Sequence, residues 1–119
     1  MMQPLLFVGL GGAAGSMLRY LLQRFVNNSL FPYGTLIANV GGCLVIGILM
    51  GLLAKNMLTE QNRLLLMTGF CGGFTTFSSL TMEGFYFLQH QRFWAFAGYF
   101  ILSVCLGLLA TFAGYKLSS

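Results

Sequence analysis

Charge is nearly missing from this sequence. Of its 119 residues two are acidic, Glu60 and Glu83, and six are basic, so charged residues make up 7%. An average soluble domain carries about 25%. A domain this small has much surface to cover for its volume, and so few charges cannot cover it. With 57% hydrophobic residues and a mean hydropathy of +0.81, the composition excludes a soluble globular domain, a disordered chain and a nucleic-acid binder. The basic residues form no run, so the net charge of +4 implies no polybasic patch. Cysteine pairs are missing too. Cys43, Cys71 and Cys105 lie in apolar stretches, with no C-x-x-C spacing and no histidine at metal-ligand distance along the chain. Each reads as a small buried hydrophobe. The N-terminus lacks a basic n-region and an early cleavage site, so its apolar segment is expected to be a retained span. The single histidine, His90, falls in a polar connector and reads as solvated.

Long uncharged runs stand where charge does not. A bilayer core takes about 20 apolar residues per helix. Gly34 to Ala54 and Trp94 to Tyr115 carry no charge, nor does Leu64 to Met82, and Pro4 to Leu22 is interrupted only by Arg19. The runs are too long for barrel strands and lack period-2 alternation. The expectation is an all-α integral membrane protein, one domain of four transmembrane helices over about 4–22, 34–54, 63–88 and 94–115. The connectors Gln23 to Tyr33, Lys55 to Arg63 and Gln89 to Arg92 are polar, and Tyr20, Tyr33, Trp94 and Tyr115 sit near span ends as interfacial aromatics do. Lys/Arg bias normally sets orientation. Here one side holds Lys55, Arg63 and Lys116 and the other Arg19, Arg24 and Arg92. That balance fits insertion both ways round, or an orientation tipped by the N-terminal amine or one loop.

Glycine is abundant, with 16 residues. Gly11 and Gly15, Gly47 and Gly51, and Gly12 and Ser16 are each four apart, the spacing that lets membrane helices approach closely. Four short helices enclose little volume, so a polar pathway fits better between two copies than inside one, which favours a homodimer. The third span is irregular. Gly72 and Gly73 are followed by Thr75, Thr76, Ser78 and Ser79, poor material for a continuous helix. A break is expected near Gly72–Gly73. It would expose backbone groups at membrane depth, which is tolerated only inside protein or along a cavity. Freed carbonyls suit cations and half-helix N-termini suit anions. The alternative is a continuous helix with glycines for close packing and hydroxyls bonded back one turn.

Polar residues at membrane depth tend to be functional. Asn39 lies inside the second span, with Thr35 and Cys43 on its face. Thr76, Ser79 and Glu83 share a face of the third span, and Phe77 and Thr81 the adjacent one. Tyr99 and Ser103 are four apart in the fourth, and Gly12, Ser16 and Arg19 line up in the first. Each alone also fits a helix–helix hydrogen bond. Together they make a track of hydroxyl, amide and ring-edge groups whose one acid, Glu83, lies near a span end. Donors without carboxylates, with phenylalanine edges that carry partial positive charge, suit a small hard anion.

Three motifs then carry a family resemblance. Gly11 to Tyr20 (GGAAGSMLRY) resembles a first-span G-G-x-x-G-x-x-x-R pattern. Gly34 to Asn39 (GTLIAN), followed by Gly42, resembles G-T-L-x-x-N. Gly69 to Ser78 (GFCGGFTTFS) resembles the third-span signature G-F-C-G-G-x-T-T-F-S. In this order, over essentially the whole chain, they resemble the CrcB/Fluc family of fluoride channels. The resemblance implies a fluoride-selective channel that exports fluoride from the microbial cytoplasm across the plasma (inner) membrane and so relieves its toxicity. It implies an antiparallel dual-topology homodimer with two pores at its interface and a central structural sodium ion. Carried over by residue, the backbone carbonyls of Gly72 and Thr75 would hold the sodium. Asn39, Phe77, Ser78, Ser79, Tyr99 and Ser103 would line the ion pathway. Arg19 and Glu83 would lie at the vestibule and pore end. One position departs: Leu80 stands where many members carry a second phenylalanine, which removes one polarised ring edge.

The competing reading is a small multidrug-type proton-coupled exporter, similar in size and span number. Those exporters need a membrane-embedded glutamate in the first span, and none is present. A disulfide-type membrane oxidoreductase lacks its cysteine pairs, a purely structural subunit leaves the Gly-Gly/Thr-Thr segment unexplained, and no nucleophile–base set or metal cluster supports an enzyme. If Phe77 presents its ring edge to the ion, Phe77→Ile lowers fluoride flux more than Leu80→Ala does. Equal flux from wild type and Phe77→Ile, measured in liposomes, overturns that role.

Overall fold

The computed structural model describes residues 1–119. It is all-helical: α1 (Met2–Val26), α2 (Tyr33–Ala54), α3 (Glu60–Asn62), a π-helical stretch (Arg63–Cys71), α4 (Gly72–Phe74), α5 (Phe77–Gln89) and α6 (Phe93–Ser118). Four helical stretches are long and apolar enough to cross a membrane: Met2–Val26, Tyr33–Ala54, Glu60–Gln89 and Phe93–Ser118. α1 runs beyond its expected end, so Gln23 belongs to a helix and not to a connector. Its amide finds partners inside the bundle.

The connectors fold through their polar side chains. Asn28 Oδ1 accepts from the backbone N–H groups of Leu30 and Phe31, both at 2.8 Å. Asn27 Oδ1 accepts from the N–H groups of Gly34 at 2.6 Å and Thr35 at 3.2 Å, serving donors that the first turn of α2 leaves open. Thr59 caps α3 by accepting from Asn62 N–H at 3.1 Å. Asn56 (φ 58°) and Gln91 (φ 59°) take left-handed conformations, after α2 and before α6. Asparagine tolerates that region better than most residues.

Glycines set the helix spacing. α2 and α6 form the largest helix–helix contact, followed by α1 against the π-helical stretch. A Cβ on Gly11 would overlap the Leu65 carbonyl oxygen, and one on Gly15 the Phe70 carbonyl oxygen. On the other side Gly47 faces the Thr111 carbonyl and Gly114 the Leu44 carbonyl equally closely. Between the pairs Leu80, Phe87 and Tyr99 form a small core, backed by Phe31, Leu36, Phe96 and Phe100. Only 20 residues are buried, so most apolar side chains face outward, as lipid contact requires. Cys71 is buried and Cys43 half-buried, but Cys105 is exposed on α6. The expectation of three buried cysteines fails there, because lipid solvates an apolar thiol as well as protein does.

Helical dihedrals lapse after Phe74. Thr75 (φ −86°, ψ 155°) and Thr76 (φ −151°, ψ 121°) are extended, and α5 begins at Phe77. Gly72 is helical (φ −62°, ψ −36°) and Gly73 lies within α4. The extended residues therefore fall after the glycine pair and not on it. Gly73 is used for close approach, since a Cβ there would overlap the Gly12 carbonyl. The two β-branched threonines accept extended backbone readily. Gly15→Ala is expected to destabilise the fold by about 1–3 kcal/mol through overpacking, whereas Gly9→Ala, with nothing near its added Cβ, is expected to be neutral or stabilising. Equal unfolding temperatures for the two variants in detergent would contradict this packing.

Candidate functional site

The interruption at Thr75–Thr76 frees backbone groups, and one side chain takes up two of them. Asn39 Oδ1 accepts from Thr76 N–H at 2.7 Å, and Asn39 Nδ2 donates to the Thr76 carbonyl at 3.1 Å. The Thr76 hydroxyl caps α5 by accepting from Ser79 N–H at 3.2 Å, and it lies 3.2 Å from the Ser78 hydroxyl. Upstream, Thr75 Oγ1 donates to the Cys71 carbonyl at 2.8 Å. Arg19 Nε donates to the Gly73 carbonyl at 3.0 Å. The carbonyls of Gly72, Phe74 and Thr75 accept no loop, cap or side-chain hydrogen bond.

A groove of about 500 Å³ opens beside the interruption, lined among others by Asn39, Thr75, Thr76, Phe77, Leu80 and Ser103. The Ser103 hydroxyl is buried and has no partner. Phe77 is 75% exposed, while Leu80 is 8% exposed and packs into the core. Truncation of Leu80 therefore opens a cavity, so flux comparisons at this pair need normalising to folded protein.

Beyond the groove lies a polar cluster. Glu83 accepts three hydrogen bonds, from the Thr35 hydroxyl at 2.9 Å, the Tyr99 hydroxyl at 3.0 Å and Asn27 Nδ2 at 3.2 Å. Gln23 Nε2 donates to the Thr35 hydroxyl at 3.0 Å and the Ser79 hydroxyl at 3.2 Å, while Gln23 Oε1 accepts from Arg19 at 3.4 Å. Asn27 and Glu83 also open onto a second cavity of about 620 Å³ between the α1–α2 connector and the end of α5, together with Tyr86, His90 and Arg92. The other acid, Glu60, pairs with Arg63 at an exposed helix end, where such a pair contributes little. No group of three or more His, Cys, Asp or Glu side chains comes together, so a cation here would rest on carbonyl oxygens.

Residues 6–115 match the family described as CrcB-like protein, camphor resistance (CrcB). The chain belongs to the CrcB family. Among its relatives, the fluoride-specific ion channel FluC of Flavobacterium psychrophilum is 41% identical over 95% of this chain and 94% of its own length. FluC 2 of Rhodococcus jostii, also named a fluoride-specific ion channel, is 43% identical over 96% and 97%. The Leptospira interrogans FluC is 44% identical over 94% and 91%.

Within this CrcB chain the fold gathers Asn39, Phe77 and Ser103 at the groove, with Gly72 and Thr75. Ser78 sits beside the Thr76 hydroxyl, and Ser79 turns to Gln23. Tyr99 and Glu83 bond to each other, away from the groove lining. Arg19 reaches the end of α4 through Gly73. Sequence reading missed Gln23 and Asn27, which it placed in a connector. Their signal was a four-residue spacing from Arg19, which becomes one helix face once α1 is known to continue to Val26. Asn39→Leu leaves the Thr76 N–H and carbonyl without that partner, so a loss of about 1–3 kcal/mol is expected. It should appear as a lower unfolding temperature in detergent, while Ser78→Ala, which loses one exposed contact, shifts it little. Similar shifts for both variants would remove Asn39 as the cross-link.

Proposed function

We propose that this CrcB protein is a fluoride-selective channel, multi-pass in the plasma membrane of a microbe, which lets fluoride leave the cytoplasm and so relieves its toxicity. One observation carries the reading: relatives named fluoride-specific ion channels match nearly the full chain at 41 to 44% identity. The groove chemistry is in keeping with it. In a mostly apolar lining, the amide of Asn39 and the hydroxyls of Thr75, Thr76 and Ser103 are present without a carboxylate, which suits a small, strongly hydrated anion that must exchange water for hydrogen-bond donors. The role is that of a channel, not an enzyme.

The working unit is an antiparallel dual-topology homodimer, with two pores along its interface and a third helix broken at membrane depth. Several features support this. The groove is open, Phe77 is 75% exposed at its edge, and the balanced flanking charges leave orientation unset. The accessible surface of 7445 Å² exceeds the roughly 6,300 Å² typical of a compact monomer of this mass. Asn39, Phe77, Ser78, Ser79, Tyr99 and Ser103 belong to the ion pathway, with Arg19 and Glu83 towards its ends. The Gly72 and Thr75 carbonyls would hold a structural sodium ion. The residues fit that ion, because both oxygens are free of the hydrogen bonds noted above and a hard cation prefers oxygen ligands. Sodium would supply fixed positive charge; the chain's own part is to hold α4 in place through Arg19 and Gly73. A proton-coupled multidrug exporter is not favoured: α1 carries no acid.

The deciding experiment is anion efflux from liposomes. Vesicles holding the purified protein and loaded with fluoride are expected to release it rapidly, with or without a pH gradient, while chloride-loaded vesicles retain their ion. No fluoride release from folded protein overturns the reading.

A further inference from the structure

Hydrogen placement around Gln23 carries an inference that rests on the channel reading above. Arg19 is an obligate donor and a carboxylate an obligate acceptor. Arg19 donates to Gln23 Oε1, which turns the two Nε2 hydrogens towards the hydroxyls of Thr35 and Ser79. Both hydroxyl oxygens are thereby acceptors. Thr35 passes its own hydrogen to Glu83, where Tyr99 and Asn27 also donate. Both Nε2 hydrogens of Gln23 and the Thr35 hydroxyl hydrogen thus have acceptors. Ser79 accepts from Gln23, and its hydroxyl hydrogen has no partner. Ser79 is not itself in the groove lining; it flanks the face of α5 that carries Leu80 and, at the cap, Thr76, which are, and the channel reading puts it on the ion pathway.

We propose that Gln23 is a positioning residue that fixes the polarity of Ser79, making its hydroxyl a donor held ready for the passing anion. Without the amide, a serine hydroxyl on a helix can turn back and donate to the carbonyl of the preceding turn, which presents lone pairs to the anion. Gln23 biases the hydroxyl against presenting lone pairs outward, because its amide occupies one of the two acceptor lobes of the oxygen. The same amide keeps Thr35 pointed at Glu83, so the carboxylate stays saturated with donors and does not draw the Ser79 hydrogen.

The test is a mutant cycle read by fluoride efflux from liposomes, with Gln23→Met, Ser79→Ala and the double variant. Ser79→Ala and Gln23→Met are each expected to slow efflux about tenfold, the factor of one hydrogen bond. In the Ser79→Ala background Gln23→Met is expected to change it less than about twofold, because the group it orients has gone. Multiplying effects, or wild-type efflux from either single variant, overturn the proposal. Gln23→Glu guards against misfolding of the methionine variant. It is nearly isosteric but lacks the donor when ionised, so it is expected to slow efflux more with Ser79 intact than in the Ser79→Ala background. A plain charge effect would be equal in both, and a plain packing role would leave wild-type efflux; either result overturns the proposal. Absence of fluoride efflux from the wild type itself overturns the channel reading and this proposal with it.

Discussion

Backbone N–H and carbonyl groups have no partners in hydrocarbon, and the remaining architecture is arranged around that constraint. Within the spans the helices satisfy it internally except around Thr75 and Thr76, where the chain is extended. There the side chains take over. Asn39 reaches from α2 to both backbone groups of Thr76, Arg19 reaches from α1 to Gly73, and the Thr76 hydroxyl caps α5. Two different helices thus hold the two sides of one interruption, so its geometry depends on how those helices pack.

That packing depends in turn on glycine. Gly11 and Gly15 let α1 lie against the π-helical stretch, and Gly73 lets α4 lie against Gly12. The close approach brings the Arg19 guanidinium within 3.0 Å of the Gly73 carbonyl. A larger residue at these positions would separate the helices and lengthen that bond. Glycine's low helix propensity is therefore offset here by what the approach permits.

The polar cluster around Glu83 follows a different rule. A lone carboxylate among four apolar spans is costly unless donors surround it. Thr35, Asn27 and Tyr99 supply them from three helical regions. Asn27 does more, since its carbonyl oxygen also serves the start of α2. One side chain therefore ties the connector, the second helix and the half-buried acid together. The chain of donors from Arg19 to Glu83 runs in one direction because its ends are an obligate donor and an obligate acceptor.

Span number and helical class were legible in the sequence, because hydropathy and charge act over whole segments and need no partner to be read. The motifs at Gly11, Gly34 and Gly69 were legible for the same reason: they are local strings. The position of the extended residues was not. Glycine propensity pointed to Gly72–Gly73, but Gly73 is helical and serves close approach to Gly12, and the extended residues are the two threonines. Gln23 and Asn27 were equally hidden, since their partners Ser79 and Glu83 lie 56 residues away in each case. Local energetics decide which segments become apolar helices, and those can be summed along the chain. Which side chain meets which freed backbone group depends on distances across the bundle, and only the packed tertiary structure decides them.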